Sequence, residues 1–196
     1  AEFISLFKGR LINSHGMRLP QYRGGGGFTW PMLRRSRLGY SLIHRVTPRI
    51  DDGEIIAFRE FVFPESCRKP EDYFSVAAEE DGKLFRDFVR GVDAGKGFPA
   101  IGQPEYMSNY FPRLHTPSHG LIDWSWHSGD IATFIAAFDS PYPGASTFWK
   151  GRCVHLGSVD EVASDGPFHP FQAGIVYRRG GDALMRQDLE ELIRYG

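Results

Sequence analysis

Cysteine is scarce in this chain of 196 residues, and so are long apolar runs. The two cysteines, Cys67 and Cys153, are too few for a disulfide framework, so we expect free thiols and a cytoplasmic location. No run of about eighteen consecutive apolar residues occurs, and no charged, then apolar, then small-residue leader opens the sequence. These shortages argue against membrane insertion, secretion and a disulfide-stapled scaffold.

What is present is enough for a hydrophobic core, because 41% of the residues are apolar. The length predicts one domain with a small appendage. Glycine and proline crowd together from Gly91 to Pro104, which is typical of a linker or an irregular loop. We therefore predict a first domain over residues 1–95, and a linker with a smaller α+β domain over residues 96–196.

Hydrophobic periodicity and turn residues predict helices and strands along the chain. A short helix should begin at Phe28 with Pro31 in its first turn, and Ser128 can cap a later helix. A helix starting at Pro70 should cover the sheet with apolar residues that include Phe74, Phe85 and Val89. The remaining predictions are strands over 39–47, 54–62, 146–149, 152–156 and 173–178 and a last helix over 183–195.

Two polar turns against apolar strands contain the candidate chemistry. The apolar residues Leu11 and Ile12 indicate the end of a buried strand, so Asn13 and His15 should follow that strand. Asp51 begins a second turn 36 positions after His15, which leaves room for its carboxylate to fold back beside the imidazole. The structural alternative is that Asn13 caps a turn, His15 is an ordinary hydrogen-bonded histidine, and Asp51 forms a turn with Gly53.

These motifs resemble those of the 10-formyltetrahydrofolate-dependent formyltransferases. The matching pattern is Asn-x-His at Asn13, Leu-Pro-x-Tyr-Arg-Gly at residues 19–24, and Asp-x-Gly at Asp51. Residues 122–126 and 137–145 resemble the segment that leads into the smaller C-terminal domain of the methionyl-tRNA and amino-sugar branches. The resemblance implies an α/β fold, with a partial Rossmann-like formyltransferase domain followed by a small β-rich, OB-like domain.

The resemblance also bears on the start of the chain, which opens on Ala1 rather than Met. Family members have roughly a further Rossmann-like half before this point. We therefore expect that the chain lacks the N-terminal part of the catalytic domain. The alternative is a naturally short version that covers its first strand in another way or pairs it with another chain.

The side-chain types suit formyl transfer to an amine, which develops a tetrahedral oxyanion and releases a proton from nitrogen. Asn13 offers an amide donor to the oxyanion, and His15 can donate to it or take the amine proton near neutral pH. Asp51 can orient His15 and stabilise its cation. In the resembled family the three matching positions are the catalytic residues.

The family resemblance further implies 10-formyltetrahydrofolate as co-substrate, with no metal. The matching folate-binding segment is formed by Met17, Arg18, Leu19 and Pro20. The first two of these depart from the usual Ser-Leu, and Arg18 either pairs with an acidic group of a ligand or lies on the surface. The glycines 24–27 either admit a ligand close to backbone N–H groups or form a flexible turn.

Two other constellations are better explained without a ligand. His115, His119 and Asp123 look like a metal trio, but Pro117 and Gly120 argue against the helix that would align them. Four aromatic residues could stack on a nucleotide base, although packing is the favoured interpretation. These are Tyr110, Phe111, Trp124 and Trp126.

Charge helps to choose the acceptor of the formyl group. Residues 101–196 contain 7 Lys plus Arg against 11 Asp plus Glu, a net charge of −4, whereas residues 1–100 carry 16 against 13, a net charge of +3. A tRNA-holding domain should be basic. The run at 168–172 also looks more like the amino-sugar branch. We therefore favour a nucleotide-linked amino sugar as partner, with initiator methionyl-tRNA second; a homodimer and an inactive binding or assembly module remain open.

Overall fold

The structure is a computed structural model that describes residues 2–25, 27–149, 151–157, 159–162, 176–179 and 182–185. Its contacts divide the chain into two compact units. The first comprises residues 1–27, 37–67 and 72–113, and the second comprises residues 28–36, 68–71 and 114–196. Residues 96–113 thus group with the first unit, and the predicted domain division after residue 95 stays a prediction.

The described residues form five α-helices and ten strands, of which α3 is the longest element. The helices are α1 (Glu2–Ser5), α2 (Thr29–Leu33), α3 (Pro70–Asp93), α4 (Thr116–His119) and α5 (Ser128–Ala137), with a 3-10 turn at Glu105–Met107. The strands are β1 (Ile12–His15), β2 (Arg23–Gly24), β3 (Leu38–Arg45), β4 (Ile55–Val62), β5 (Tyr110–Phe111), β6 (Ala145–Trp149), β7 (Arg152–Leu156), β8 (Asp160–Val162), β9 (Val176–Arg179) and β10 (Asp182–Met185).

The first unit is built on an antiparallel sheet in the order β1-β3-β4. The central strand β3 is buried over residues 39–44, and the buried stretch includes the polar Ser41 and His44 besides the apolar Leu42 and Ile43. Because neighbouring side chains on a strand point to opposite faces, Leu42 and Ile43 belong to different clusters. Leu42 packs with Leu19 and Ile55, whereas Ile43 packs with Ile56 and with Leu84 of α3.

Helix α3 confirms the predicted start at Pro70 but not the whole predicted apolar face. Tyr73, Ala77 and Leu84 are buried, as expected for positions that share one side of the helix. Phe74, Phe85 and Val89 are each at least 40% exposed. Phe74 and Phe85 each follow a buried position, and one residue turns an α-helix by roughly 100°.

The second unit has its core around α5. Ile131, Ile135 and Phe138 are at most 2% exposed and pack with Ala145 and Leu156 of the β6-β7 hairpin. Strand β7 has the predicted bounds. The prediction that Ser128 caps α5 is wrong, since Ser128 is the first helical residue and His127 occupies the N-cap position.

The predicted last helix over 183–195 is wrong for its first three residues. They lie in β10, which pairs with β8 and β9 in an antiparallel sheet. The helical spacing of their side chains is overridden by cross-strand pairing. Residues 186–195 of that helix, residues 173–175 of the predicted strand and the run at 168–172 lie outside the described residues. In the described part of the chain, no helix is long and apolar enough to cross a membrane.

Candidate active site

Asn13 and His15 lie within β1 itself, rather than after the end of a buried strand as the sequence suggested. They are two residues apart and therefore project from the same face. The antiparallel register places Asn13 opposite His44 and His15 opposite Leu42 on β3. The pairing with β3 thus sets the positions of both candidate side chains.

A backbone carbonyl orients His15. Its Nε2 lies 2.9 Å from the carbonyl oxygen of Tyr22, and because a carbonyl can only accept, Nε2 is the donor. In the neutral ring the lone pair is then on Nδ1, which lies 3.9 Å from Oδ2 of Asp51. The predicted approach of Asp51 to His15 is present in the structure, although the orienting hydrogen bond comes from Tyr22.

Asp51 is held in an unusual backbone conformation, with φ = 49°. Its side chain is 16% exposed, and Oδ2 accepts a hydrogen bond of 2.9 Å from the backbone N–H of Gly24. A Cβ at position 24 would lie 2.5 Å from the Phe111 carbonyl oxygen and 2.7 Å from the Tyr110 ring, and φ there is 96°. Glycine is required at this position because its N–H approaches Asp51 through a crowded, left-handed turn.

His44 is a site residue that the sequence analysis missed. Its Nδ1 donates to the Arg45 carbonyl oxygen at 2.9 Å, so the neutral ring can accept at Nε2 from the Asn13 amide nitrogen, 3.2 Å away. The same Nε2 lies 3.6 Å from Oδ1 of Asp51. His44 therefore lies close to both Asn13 and Asp51, and in its neutral form it accepts the hydrogen bond of Asn13. Its signal in the sequence was a histidine that directly follows the apolar pair Leu42 and Ile43 of a predicted strand.

Burial favours the neutral form of His44. Desolvation is the largest influence and lowers the pKa of its imidazole below 6.5, with a further lowering from the nearby His15 ring. The hydrogen bond to the Arg45 carbonyl and the charges of Asp51 and Asp52 act in the opposite direction. A neutral ring is the form that accepts the Asn13 hydrogen bond.

The predicted folate segment is only partly accessible. Leu19 and Pro20 are buried, and Met17 is half-buried. The exposed Arg18 has its guanidinium carbon 5.6 Å from the centroid of the Tyr40 ring, a cation–π arrangement. Leu19 thus supports the core beneath the site, and the binding roles of these four positions stay predictions.

His115, His119 and Asp123 are the three residues that look like a metal trio in the sequence. Contrary to the sequence argument, Pro117 and Gly120 do not prevent a helical turn, since α4 includes Pro117 in its first turn and ends just before Gly120. The His115 backbone N–H donates to Nδ1 of His119 at 2.8 Å, and the His115 ring bonds the Ser118 hydroxyl at 2.9 Å. Among the residues that the structure describes, no group of three His, Cys, Asp or Glu side chains could hold a metal ion.

Three of the four aromatic residues pack in the way the sequence analysis favoured. The Trp124 indole N–H donates to Thr147 at 2.6 Å, and the Trp126 ring lies edge-on to Phe134 with centroids 5.2 Å apart. The Phe111 ring stacks on Tyr22 at 4.9 Å. The fourth, Tyr110, is 61% exposed, so packing does not account for it.

Comparison with known protein families matches residues 115–185 to the formyl transferase C-terminal domain. A methionyl-tRNA formyltransferase of Syntrophus aciditrophicus (strain SB) is 29% identical over 174 residues, which cover 86% of this chain and 53% of the relative. The chain thus spans about half the length of that relative.

Solved structures show the same fold. The sugar 3N-formyl transferase WlaRD, determined in the presence of dTDP and 5-N-formyl-THF, has a TM-score of 0.67 at 20% identity, covering 92% of this chain and 66% of its own. An N-formyltransferase from Helicobacter canadensis, in complex with folinic acid and dTDP-3-aminofucose, has a TM-score of 0.66 at 19% identity, covering 91% and 66%. These similarities confirm the predicted α/β formyltransferase fold.

Proposed function

We propose that this chain, whose residues 115–185 match the formyl transferase C-terminal domain, transfers a formyl group from 10-formyltetrahydrofolate to the primary amine of a nucleotide-linked amino sugar. The observation that carries the proposal is the convergence of Asn13, His15 and Asp51 on one part of the first unit. At these distances the exposed amide of Asn13 provides an oxyanion donor, the imidazole of His15 provides a base, and the carboxylate of Asp51 provides a counter-charge.

The oxyanion donor is Asn13. Bound 10-formyltetrahydrofolate would supply an activated formyl carbon. One N–H of the Asn13 amide is directed to Nε2 of His44 at 3.2 Å, and the amide has a second N–H for the formyl oxygen as that oxygen gains negative charge. Since the Asn13 side chain is exposed, a ligand can reach it.

The proton acceptor is His15. As the amine nitrogen forms its new bond to the formyl carbon, Nδ1 of His15 can take the proton that the nitrogen loses. Asp51, 3.9 Å from Nδ1, stabilises the resulting imidazolium. The same proton is returned to the folate nitrogen as its bond to the formyl carbon breaks, which leaves His15 neutral again.

The choice of acceptor is supported by relatives and by charge. The Helicobacter canadensis neighbour binds dTDP-3-aminofucose. The net charge of −4 over residues 101–196 disfavours a polyanionic acceptor such as tRNA. Free Cys67 and Cys153 favour a cytoplasmic setting for the reaction.

The test is mass spectrometry of a panel of nucleotide-linked amino sugars, incubated with 10-formyltetrahydrofolate and the product of the full-length open reading frame. We expect one member to gain one formyl group, and His15→Ala protein to form that product at least about 100-fold more slowly. If His15→Ala turns over at the wild-type rate, the assigned base is wrong.

Initiator methionyl-tRNA is the second candidate acceptor, and the methionyl-tRNA formyltransferase relative is the observation that favours it. Charged initiator tRNA therefore belongs in the same panel. Formylation of the tRNA alone would contradict the amino-sugar proposal. Formylation of no acceptor would instead favour an inactive binding or assembly module with the same side chains.

A further inference from the structure

We propose that Gln103 is a positioning residue for Asp51, acting from the glycine- and proline-rich segment that the sequence marks as a linker. The inference deepens the proposed function and rests on it for its catalytic part. Gln103 has no hydrogen-bond contact with Asn13 or His15 among those described, so its effect on them would pass through Asp51.

The orientation of the Gln103 amide follows from its neighbours. Its Oε1 faces Nε of Arg23 at 3.3 Å, and a guanidinium can only donate. Its Nε2 faces two backbone carbonyl oxygens, of Asp51 at 2.9 Å and of Gly53 at 2.6 Å, and these can only accept. A flipped amide would oppose all three partners, so the two N–H groups of Gln103 must bridge the Asp51 turn.

Arg23 is itself fixed. Its side chain is 7% exposed, and NH1 forms an ion pair of 2.9 Å with Glu105. The backbone N–H of Arg23 donates to the Asn109 carbonyl oxygen at 3.0 Å. The amide of Gln103 is therefore held on its oxygen side by a buried cation with little freedom to move.

The Asp51 turn needs an external hold because Asp51 has a positive φ, which a non-glycine residue adopts at a cost. Bridging the carbonyls of Asp51 and Gly53 restrains the backbone on both sides of the intervening residue. Rotation of that backbone would swing the carboxylate away from the Gly24 N–H, which lies next to Arg23 in sequence. Gln103 thus ties the turn and β2 together.

Other contacts keep the Gln103 segment in place without its side chain. Ile101 and Ile55 exchange two backbone hydrogen bonds, each 2.9 Å long. Arg49 binds Glu105 at 2.9 Å and Asp52 at 3.2 Å. Removing the Gln103 amide should therefore loosen Asp51 while the segment itself stays anchored.

Gln103→Glu distinguishes hydrogen-bond donation from packing. The glutamate has nearly the same volume and keeps an oxygen for Arg23, but it replaces both donors with an acceptor that faces two carbonyl oxygens. A residue needed only for packing would tolerate Gln103→Leu, which keeps a similar volume and adds no charge. A residue needed for its two donors would be impaired by both changes.

The matched control is Arg37→Leu, which removes another side-chain hydrogen bond to a backbone carbonyl in the same unit, from Arg37 Nε to Phe63 at 2.9 Å. The first measurement is amide hydrogen exchange at Gly24, whose N–H reports the Asp51 carboxylate position independently of activity. Asp51→Ala defines the rate without that acceptor. Amides of β3 correct for changes in global stability.

We expect Gly24 exchange in Gln103→Glu and Gln103→Leu to approach the Asp51→Ala rate, while Arg37→Leu resembles the wild type.

The second measurement is formyl transfer, for which we expect kcat to fall about 10- to 100-fold in both Gln103 variants, with KM changed about twofold at most. Wild-type Gly24 exchange in Gln103→Glu, or an equal loss of kcat in Arg37→Leu, would overturn the inference. If the wild type formylates no acceptor, the proposed function fails, and Gly24 exchange still decides whether Gln103 positions Asp51.

Discussion

Two clusters of histidine and aspartate in this chain have the same composition and opposite surroundings. We call them the site cluster (His15, His44 and Asp51) and the surface cluster (His115, His119 and Asp123). The side chains of the site cluster are at most 16% exposed. Each has at least one partner on another strand or turn, although Nδ1 of His44 also donates to the adjacent Arg45 carbonyl. The three residues of the surface cluster are exposed, and the hydrogen bonds described for them join residues within four positions.

The difference shows what converts these side chains into a candidate site. In the site cluster, backbone groups that are distant in sequence orient two of the side chains. The Tyr22 carbonyl orients His15, and the Gly24 N–H orients Asp51. In the surface cluster, the His119 ring accepts from the backbone of the same helical turn. Hydrogen-bond partners that are near in sequence hold a side chain in its local position, whereas partners that are distant in sequence orient several side chains toward one another.

The largest contrast should be in activity. His15→Ala is expected to lower kcat of formyl transfer by at least about 100-fold, because general acid–base catalysis contributes on this scale. His119→Ala, the matched change in the surface cluster, should leave kcat unchanged. Steady-state kinetics of both variants test this, with circular dichroism to check folding; equal losses would mean that the two clusters do not differ in function.

Backbone support should be the next largest difference. Gly24→Ala is expected to lower the free energy of unfolding by about 1–3 kcal/mol, because its Cβ has no room and φ is 96°. Gly25 is the control, since the nearest atom to a Cβ there is 3.7 Å away. Urea unfolding measures both, and similar stabilities for the two variants would contradict the close packing around the Gly24 N–H.

The pH dependence of stability should also differ between the two clusters, by a smaller amount. Burial lowers the folded-state pKa of His44, so the unfolded state binds the proton first as the pH falls. Stability from this group is therefore present above about pH 6.5, the unfolded value, and is lost below it. Thermal unfolding between pH 7.5 and 5.5 should show a smaller loss in His44→Gln than in the wild type.

The control for that titration is His119→Gln, which should retain the wild-type pH dependence. If His44→Gln and the wild type lose stability in parallel, His44 is not the buried neutral histidine described here. Either result is independent of any assay for formyl transfer.

The smallest effect should come from the surface cluster itself. His115→Ala and His119→Ala are each expected to change the free energy of unfolding by no more than about 0.5 kcal/mol, as is usual for exposed positions. Urea unfolding with and without added zinc measures this. Stabilisation of the wild type by zinc that is lost in both variants would reveal a metal site that the geometry does not indicate.

The sequence predicted the elements with strong local patterns, namely β3, β4, β7 and the start of α3. It also predicted that Asp51 lies beside His15, because the 36-residue interval and the polar turns fit a returning strand. His44 escaped notice because its role depends on the cross-strand register with Asn13, which a single sequence does not display.

The other wrong or missing predictions also concern contacts between residues that are distant in sequence. Gln103 lies 52 positions from Asp51, in a segment whose composition predicts only an irregular loop. Ala183 to Met185 form a strand through pairing with β9, although their local pattern favoured a helix. Where an apolar side chain of α3 meets the sheet also depends on tertiary packing, which left Phe74 and Phe85 exposed.

The central claim is that His15 and Asp51 act as one catalytic group. The most direct test is a double-mutant cycle in kcat/KM, using His15→Ala, Asp51→Asn and the double variant on the acceptor identified by mass spectrometry. Residues that act as a unit are strongly non-additive, so the double variant should lie within about threefold of His15→Ala. Losses that multiply, with each substitution costing the same in the presence or absence of the other, would contradict the account.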